Sequence, residues 1–322
     1  MTAPWITYRP ELKVLDCTIR DGGLINEHRF EDGFVRAVYE TCVAAGIDYM
    51  EVGYKASKKL HARDQFGVWK FCDEDDIRRI VGENQTALKL TAMADAGKSD
   101  WRTDVLPKDK SVLDAIRVAF YVHQVAEAVN MIHDAAEKGY EVTANLMAVS
   151  QAKETEIDQV LELLAETPAS TLVVVDSFGS LYSEQVAILV KKYLAYGQAT
   201  GKQVGIHAHN NQQLAFANTI EAIIQGANLA DASMAGLGRG AGNCPMELLI
   251  GFLRNPKFNI RPIYALVQDS LEPLRQEVEW GPYVQYNITG QLNMHPRSAM
   301  AARAGDQKDS YVDFYDKTIA EI

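Results

Sequence analysis

Residues 171–234 read TLVVVDSFGSLYSEQVAILVKKYLAYGQATGKQVGIHAHNNQQLAFANTIEAIIQGANLADASM. Three β-rich apolar runs stand out in this stretch, at residues 171–176, 203–209 and 228–234. Two helical patterns separate them, near residues 183–197 and 213–225. That rhythm belongs to a parallel sheet with crossover helices. The same alternation runs back toward the N-terminus. Strands are expected at residues 13–18, 47–53, 87–93, 115–122 and 141–147, and helices near 30–45, 73–82, 125–138 and 154–166. A last helix near 245–253 follows the eighth strand. Eight such units in about 250 residues match a (β/α)8 TIM barrel of the α/β class. An open doubly wound sheet shows the same alternation. The count of eight, and the lack of a glycine-rich nucleotide fingerprint after strand one, favour the barrel. The expected layout is a barrel domain over residues 1–255 and a helical, aromatic-rich C-terminal extension over residues 256–322.

Composition narrows the functional classes. The 322 residues carry 32 Lys and Arg against 43 Asp and Glu, a formal net charge of -11. An acidic surface opposes non-specific nucleic-acid binding, which needs a basic face. No apolar run reaches the length of a membrane span, so no membrane partner is expected. Residues 1–13 (MTAPWITYRPELK) lack the apolar core of a signal peptide. Cys17, Cys42, Cys72 and Cys244 are scattered, without paired spacing, which points to a reduced, cytoplasmic protein. A disulfide scaffold, a zinc ribbon, a coiled coil and a disordered chain are excluded.

A barrel carries its chemistry at the C-terminal ends of its strands. Polar residues gather there: Asp16, Arg20 and Asp21 at strand one, Glu51 at strand two, Asn145 on strand five, Asp176 and Ser177 at strand six. His207 and His209 end strand seven, and GLGRGAGN (residues 236–243) follows strand eight. Residues i and i+2 of a strand share a face, so both imidazoles can reach one ion. Two histidines and the Asp21 carboxylate form a typical catalytic divalent-metal set. Arg20 beside it can stabilise a developing oxyanion. Asp16, inside the strand, reads as a buried group supporting that set. The glycines of the loop, Gly238 and Gly240 among them, let backbone approach a ligand, and tight-turn geometry explains them equally well. Asn243 can reach back toward the metal. Residues 54–70 hold Lys55, Lys58, Lys59, His61, Arg63 and Lys70. They form either a solvated loop or a basic lid that steers an anion.

LDCTIRDGG (residues 15–23), GIHAHNN (205–211) and AGLGRGAGNCP (235–245) together resemble the DRE-TIM metallolyases over about residues 12–255. That group includes the metal-dependent 4-hydroxy-2-oxovalerate aldolases, the hydroxymethylglutaryl-CoA lyases and the isopropylmalate and homocitrate synthases. The seventh- and eighth-strand segments are most similar to the aldolases. The resemblance implies that Arg20 stabilises a pyruvate-type enolate. It implies that Asp21, His207 and His209 bind the metal, with Asn243 near or on it, and that Glu51 occupies an acidic position found in related lyases. With Asn145, Gly238 and Gly240, Glu51 is expected to contact substrate. Manganese or magnesium is expected ahead of zinc, because a mixed carboxylate and imidazole set keeps water positions.

Two departures matter. The aldolases carry a catalytic base just after the arginine-aspartate pair, where this chain has Leu24. His28, Tyr283, Tyr286 and His295 are the replacement candidates, with Tyr286 and His28 foremost, and a water or a substrate group is the alternative base. A tyrosine near a metal and an arginine can have its pKa lowered. The loop cysteine of the lyases is also absent, since Cys244 follows Asn243. The expected activity is a divalent-metal-dependent aldol cleavage of a 4-hydroxy-2-oxo acid to an aldehyde and a pyruvate-type enolate, by a homodimer. The alternatives are a Claisen-type synthase using acyl-CoA and a non-catalytic barrel subunit.

Overall fold

The computed structural model describes residues 9–306 and 308–321. Residues 1–8, which carry most of the reading of the N-terminus, lie outside the described residues. Eight parallel strands close into a barrel in sequence order: β1 (Lys13–Asp16), β2 (Tyr49–Tyr54), β3 (Lys89–Asp95), β4 (Ala115–Phe120), β5 (Glu141–Leu146), β6 (Thr171–Asp176), β7 (Gln203–Ala208) and β8 (Leu229–Ala232). Closure comes from β1 pairing with β8, in a register that sets Lys13 opposite Leu229 and Asp16 opposite Ala232. Closing the sheet leaves no free strand edge.

The helices follow the same order: α1 (Thr18–Gly22), α2 (Asp32–Ala45), α3 (Glu74–Val81), α4 (Trp101–Asp104), α5 (Val125–Glu137), α6 (Glu154–Ala165), α7 (Ser183–Thr200), α8 (Ala215–Gln225) and α9 (Met246–Leu253). They present apolar stripes to the outside of the barrel. Val35, Val38 and Cys42 of α2, and Ile157, Val160, Leu161 and Leu164 of α6, follow the i, i+3, i+4 spacing and are buried. The strands' apolar side chains, such as Met50, Leu90, Ile116, Val142, Leu172 and Ile206, meet those stripes in one core. No helix among the described residues is long and apolar enough to cross a membrane. All four cysteines are buried and free.

The first strand is shorter than its sequence suggests. The chain leaves β1 at Asp16 and turns at once into α1, so Arg20 and Asp21 sit on a single helical turn rather than on a strand end. Local hydrogen bonding explains the switch. The Asp16 carboxylate accepts from both the backbone N–H and the hydroxyl of Thr18, which competes with strand pairing beyond that point. The Thr18 hydroxyl oxygen in turn accepts from the Met234 N–H at 2.9 Å, tying α1 to the loop after β8.

Beyond α9 the chain is helical, with α10 (Arg261–Leu266), α11 (Glu272–Leu274), α12 (Val284–Gln291), α13 (Arg297–Ala304) and α14 (Tyr311–Ile319). This extension crosses the strands' C-terminal end. Trp280 Nε1 donates to the Ala235 carbonyl at 3.1 Å, Asn287 Nδ2 to that of Asn211 at 2.6 Å, and Asn293 Nδ2 to that of Ser150 at 2.8 Å. The tail is therefore fastened to the loops after β8, β7 and β5.

Strand β2 slips register against β3 between Glu51 and Tyr54. Gly53 sits in this irregularity at φ +152°, and a Cβ there would overlap the Trp69 carbonyl oxygen. The bulge aims Glu51 into the barrel and Tyr54 at its mouth, a common use of bulges beside active sites. Gly53→Ala should cost about 2–4 kcal/mol of folding stability, because fixed backbone rather than a flexible side chain must yield. Urea unfolding of the two proteins at equal pH measures it.

Candidate metal centre and active site

A buried arginine on β4 organises the barrel interior. Arg117 Nη1 reaches Glu51 of β2 at 3.3 Å, while Nη2 donates to Asn145 of β5 at 3.0 Å and to Asp231 of β8 at 2.6 Å. All four side chains are almost wholly inaccessible. Charges removed from water persist only when paired and hydrogen-bonded. Each partner of Arg117 supports a different part of the site above it.

Glu51 also accepts from Arg20 Nε at 2.6 Å, so it fixes the guanidinium of α1 from below. It does not line the cavity, and it lies within β2 rather than at its end, which belongs to Tyr54. The expectation of a substrate contact at Glu51 is corrected to a group that holds Arg20. Arg20 pairs with Asp21 as well, and its Nη2 remains buried without a partner. Asp231 accepts from His207 Nδ1–H at 3.0 Å, which leaves His207 Nε2 facing Asp21 at 3.7 Å. His209 Nε2 lies 3.9 Å from the same Asp21 oxygen. One ligand atom from each of Asp21, His207 and His209 falls within 4.8 Å of the others, and all three residues are buried.

This donor set fits a metal ion. Nε2 of His207 and Oδ1 of Asn243 are buried and have no hydrogen-bond partner. Buried polar atoms are rarely left so, and an ion held by Asp21, His207 and His209 would satisfy His207 Nε2. A carboxylate holding a ligand histidine through its other nitrogen is the usual support of such centres. Burial alone would push the Asp21 carboxyl up, but Arg20, His209 and His207 outweigh it and hold it well below the carboxylate range. Burial drives His209 well below its ordinary value, against the opposing pull of Asp21, so its ring is neutral and able to ligate.

The cavity above the set is walled by Arg20, Asp21, Leu24, Tyr54, Tyr121, Asn145, Ser177, His207, His209, Arg239 and His295, with Met93, Met147 and Phe178 among the apolar residues. Asn145 is where the sequence reading expects it. Gly238 and Gly240 are not on the wall. A Cβ at Gly238 would overlap Asn243 Nδ2 and stand 2.7 Å from Asp21 Oδ1, so this glycine lets the loop close on the metal set. Gly240 lies under the Tyr286 ring.

The expected bases are redistributed. Tyr286 packs on Ala241 and Ala299 away from the cavity, and burial pushes its hydroxyl up to about 12, opposite to the expected lowering. His28 is buried edge-on to the Tyr54 ring, 5.3 Å away between centroids, outside the cavity wall. Burial, reinforced by Lys70 and Arg20, lowers it to about 3. Tyr283 also packs beside Tyr286, so of the four candidates His295 alone lines the cavity. The basic lid is corrected too. Lys55 is buried on Glu74 at 3.1 Å, Lys58 and Arg63 pair with Asp73, and Lys59 pairs with Asp100 at 3.2 Å. Lys55 and Lys59 are each matched by one acid, Lys58 and Arg63 share Asp73, and Lys70 forms no ion pair among the described residues but lies 4.7 Å from the centroid of the Tyr54 ring.

Arg117, Asp231, Tyr54 and Tyr121 were missed by reasoning from strand ends. Arg117 and Asp231 had a signal: each is a lone charge inside an apolar strand of a closed barrel. Such a charge must face the interior and find a partner there.

Residues 11–268 match the HMGL-like family, and the chain belongs to it. It is 28% identical over 268 residues to a 4-hydroxy-2-oxovalerate aldolase of Pelotomaculum thermopropionicum, covering 82% of this chain and 77% of that one. It is 29% identical over 245 residues to an oxaloacetate decarboxylase of Mycobacterium tuberculosis, covering 75% and 69% respectively. Among solved structures, the N-terminal domain of a candidate aldolase from Bacteroides vulgatus superimposes with a TM-score of 0.78 at 27% identity, covering 94% of this chain and all of that one.

Asp231→Asn should weaken manganese binding about 10–100-fold, since the ligand His207 loses its carboxylate support. Titration calorimetry of the metal-free protein measures this. His207→Ala combined with His209→Ala should abolish stoichiometric binding.

Proposed function

We propose that this protein is a divalent-metal-dependent aldolase that cleaves a 4-hydroxy-2-oxo acid into an aldehyde and a pyruvate-type enolate. The observation that carries the reading is the convergence of Asp21, His207 and His209 with the unpartnered Nη2 of Arg20 on one cavity wall. The names of the two relatives support it chemically. Cleavage of 4-hydroxy-2-oxovalerate and decarboxylation of oxaloacetate both break the bond beyond C3 of a 2-oxo acid. Both leave an electron pair that the keto oxygen must accept.

Asp21, His207 and His209, with Asn243 Oδ1, would hold the ion, and manganese or magnesium suits that mixed oxygen and nitrogen set better than zinc. When bound, it supplies Lewis-acid polarisation of the keto oxygen. The 4-hydroxyl proton passes to solvent water as the C3–C4 bond breaks, and the unpartnered Nη2 of Arg20 would stabilise the charge that develops on the keto oxygen. Glu51 keeps that guanidinium in place before substrate arrives, so no reorganisation is needed during the reaction. Burial raises Tyr54 well above its ordinary range, with Asp95, Asp21 and Glu51 adding to it against Arg20. Tyr54 therefore stays protonated and serves as a hydrogen-bond donor on the cavity wall. Leu24, Met93 and Met147 give the cavity an apolar side. The protein works in the cytoplasm in this reading, which agrees with its four free cysteines.

The test is release of pyruvate from 4-hydroxy-2-oxo acids by manganese-loaded protein, run beside thiol release from acyl-CoA with a 2-oxo acid. Thiol release without pyruvate release would overturn the aldolase reading. Arg20→Lys should lower kcat/KM by about two to four orders of magnitude with manganese binding retained. Lysine keeps the buried charge opposite Glu51 and Asp21, which alanine would strand at a cost of about 3–5 kcal/mol. Unchanged kinetics would remove Arg20 from the mechanism.

A further inference from the structure

Arg239 stands where the loop after β8 meets the tail, and its side chain enters the cavity. Its backbone N–H donates to Asp21 Oδ1 at 3.0 Å. Its Nη2 donates to the Ser177 carbonyl at 2.7 Å. Its Nε is buried without a partner. No carboxylate among the described residues forms an ion pair with this guanidinium. Asp21, the acid that acts on it, meets the Arg239 backbone rather than its guanidinium, so the guanidinium itself is open to an acid from outside.

His295 sharpens the point. Its Nδ1 lies 3.1 Å from the backbone N–H of Arg297, and its Nε2 lies 3.3 Å from Arg239 Nη1. Both ring nitrogens thus face donors. A neutral imidazole has one lone pair and one N–H, so it can accept from only one of them. Burial and the neighbouring Arg239 lower His295 to about 4, so the ring is neutral at ordinary pH. The Arg297 amide is fixed by the start of α13, and Nδ1 is its acceptor. The proton then sits on Nε2, and Nε2–H and the Arg239 N–H groups converge with no acceptor between them. The edge of the Phe178 ring, 5.5 Å between centroids, holds the imidazole in that orientation.

Resting on the aldolase reading above, we propose that Arg239 and His295 form a second anion subsite that takes a carboxylate at the far end of the substrate. The substrate class is then a 2-oxo acid carrying a second carboxylate, and the carbonyl fragment released is an oxo acid rather than a simple aldehyde. The subsite offers Nη1, Nε and one imidazole N–H from two side chains. That suits the two oxygens of a carboxylate better than the three of a phosphate, and it suits neither the methyl end of an unfunctionalised chain.

The experiment compares two five-carbon acids that differ only at the far end, 2-oxoglutarate and 2-oxovalerate, by calorimetric titration of manganese-loaded protein. A charge-assisted contact should favour 2-oxoglutarate by about 10-fold or more. The preference should collapse toward unity in Arg239→Met, which keeps the apolar stem, and shrink in His295→Phe. The Asp21 contact comes from the Arg239 backbone, so 2-oxovalerate binding should change little in either variant. Equal binding of the two acids by the parent, or a preference that survives Arg239→Met, overturns the subsite and leaves the aldolase reading standing. Loss of both acids in Arg239→Met also overturns it, because Arg239 would then serve the common 2-oxo acid end. If neither acid binds a protein that retains manganese, the 2-oxo acid reading falls along with it. Tighter binding of 2-oxo-4-phosphonobutanoate than of 2-oxoglutarate overturns the carboxylate assignment.

Discussion

Arg117 lies at the centre of the barrel, and the site above it depends on how its charge is shared. One guanidinium spans from β4 to β2, β5 and β8, touching Glu51, Asn145 and Asp231. Removing Arg117 would leave Asp231 buried without its cation and Glu51 with Arg20 alone, which is far more costly than losing a surface pair. Glu51 passes the constraint to Arg20, and Asp231 passes it to His207. Arg20 and His207, the proposed oxyanion donor and a proposed metal ligand, are therefore held by two arms of one network. Their spacing is set by the barrel rather than by either loop.

The upper part of the site comes from short, non-regular segments that fold back onto that network. The single turn of α1 brings Arg20 and Asp21 over the barrel axis. The loop after β8 approaches closely enough for its backbone to donate to Asp21, which only a glycine at position 238 permits. The tail then closes the opening with His295, fastened through Asn287 and Asn293 to the loops below. Each of these segments has little core of its own. Each is ordered by hydrogen bonds to its neighbours, so the site is a joint product of distant parts of the chain.

The same arrangement separates two kinds of positive charge. The lysines and arginine of residues 55–63 are paired with Glu74, Asp73 and Asp100 outside the cavity. Arg20 and Arg239 keep N–H groups that nothing in the protein satisfies. In a chain with a formal net charge of -11, the positive potential needed to attract an acid is thus concentrated inside one cavity.

The alternation of β-rich runs with helical stripes was enough to determine the barrel, because period-2 and period-3.6 patterns are local properties of the chain. The three motifs were enough to expect Asp21, His207 and His209 in one place, since the two histidines share a strand face and Asp21 opens at the same end. Tyr286 and His28 show where local reasoning stops. Nothing near position 286 tells that its ring packs on Gly240 and Ala241 while His295, nine residues further along, turns into the cavity. Glu51 and the basic loop give the same lesson, for whether a charge is free or already paired depends on residues distant in sequence. Which polar groups exist is written in the chain. Which of them remain unsatisfied was decided only when the barrel closed and the tail crossed its mouth, because hydrogen-bond saturation is a property of the whole packed interior.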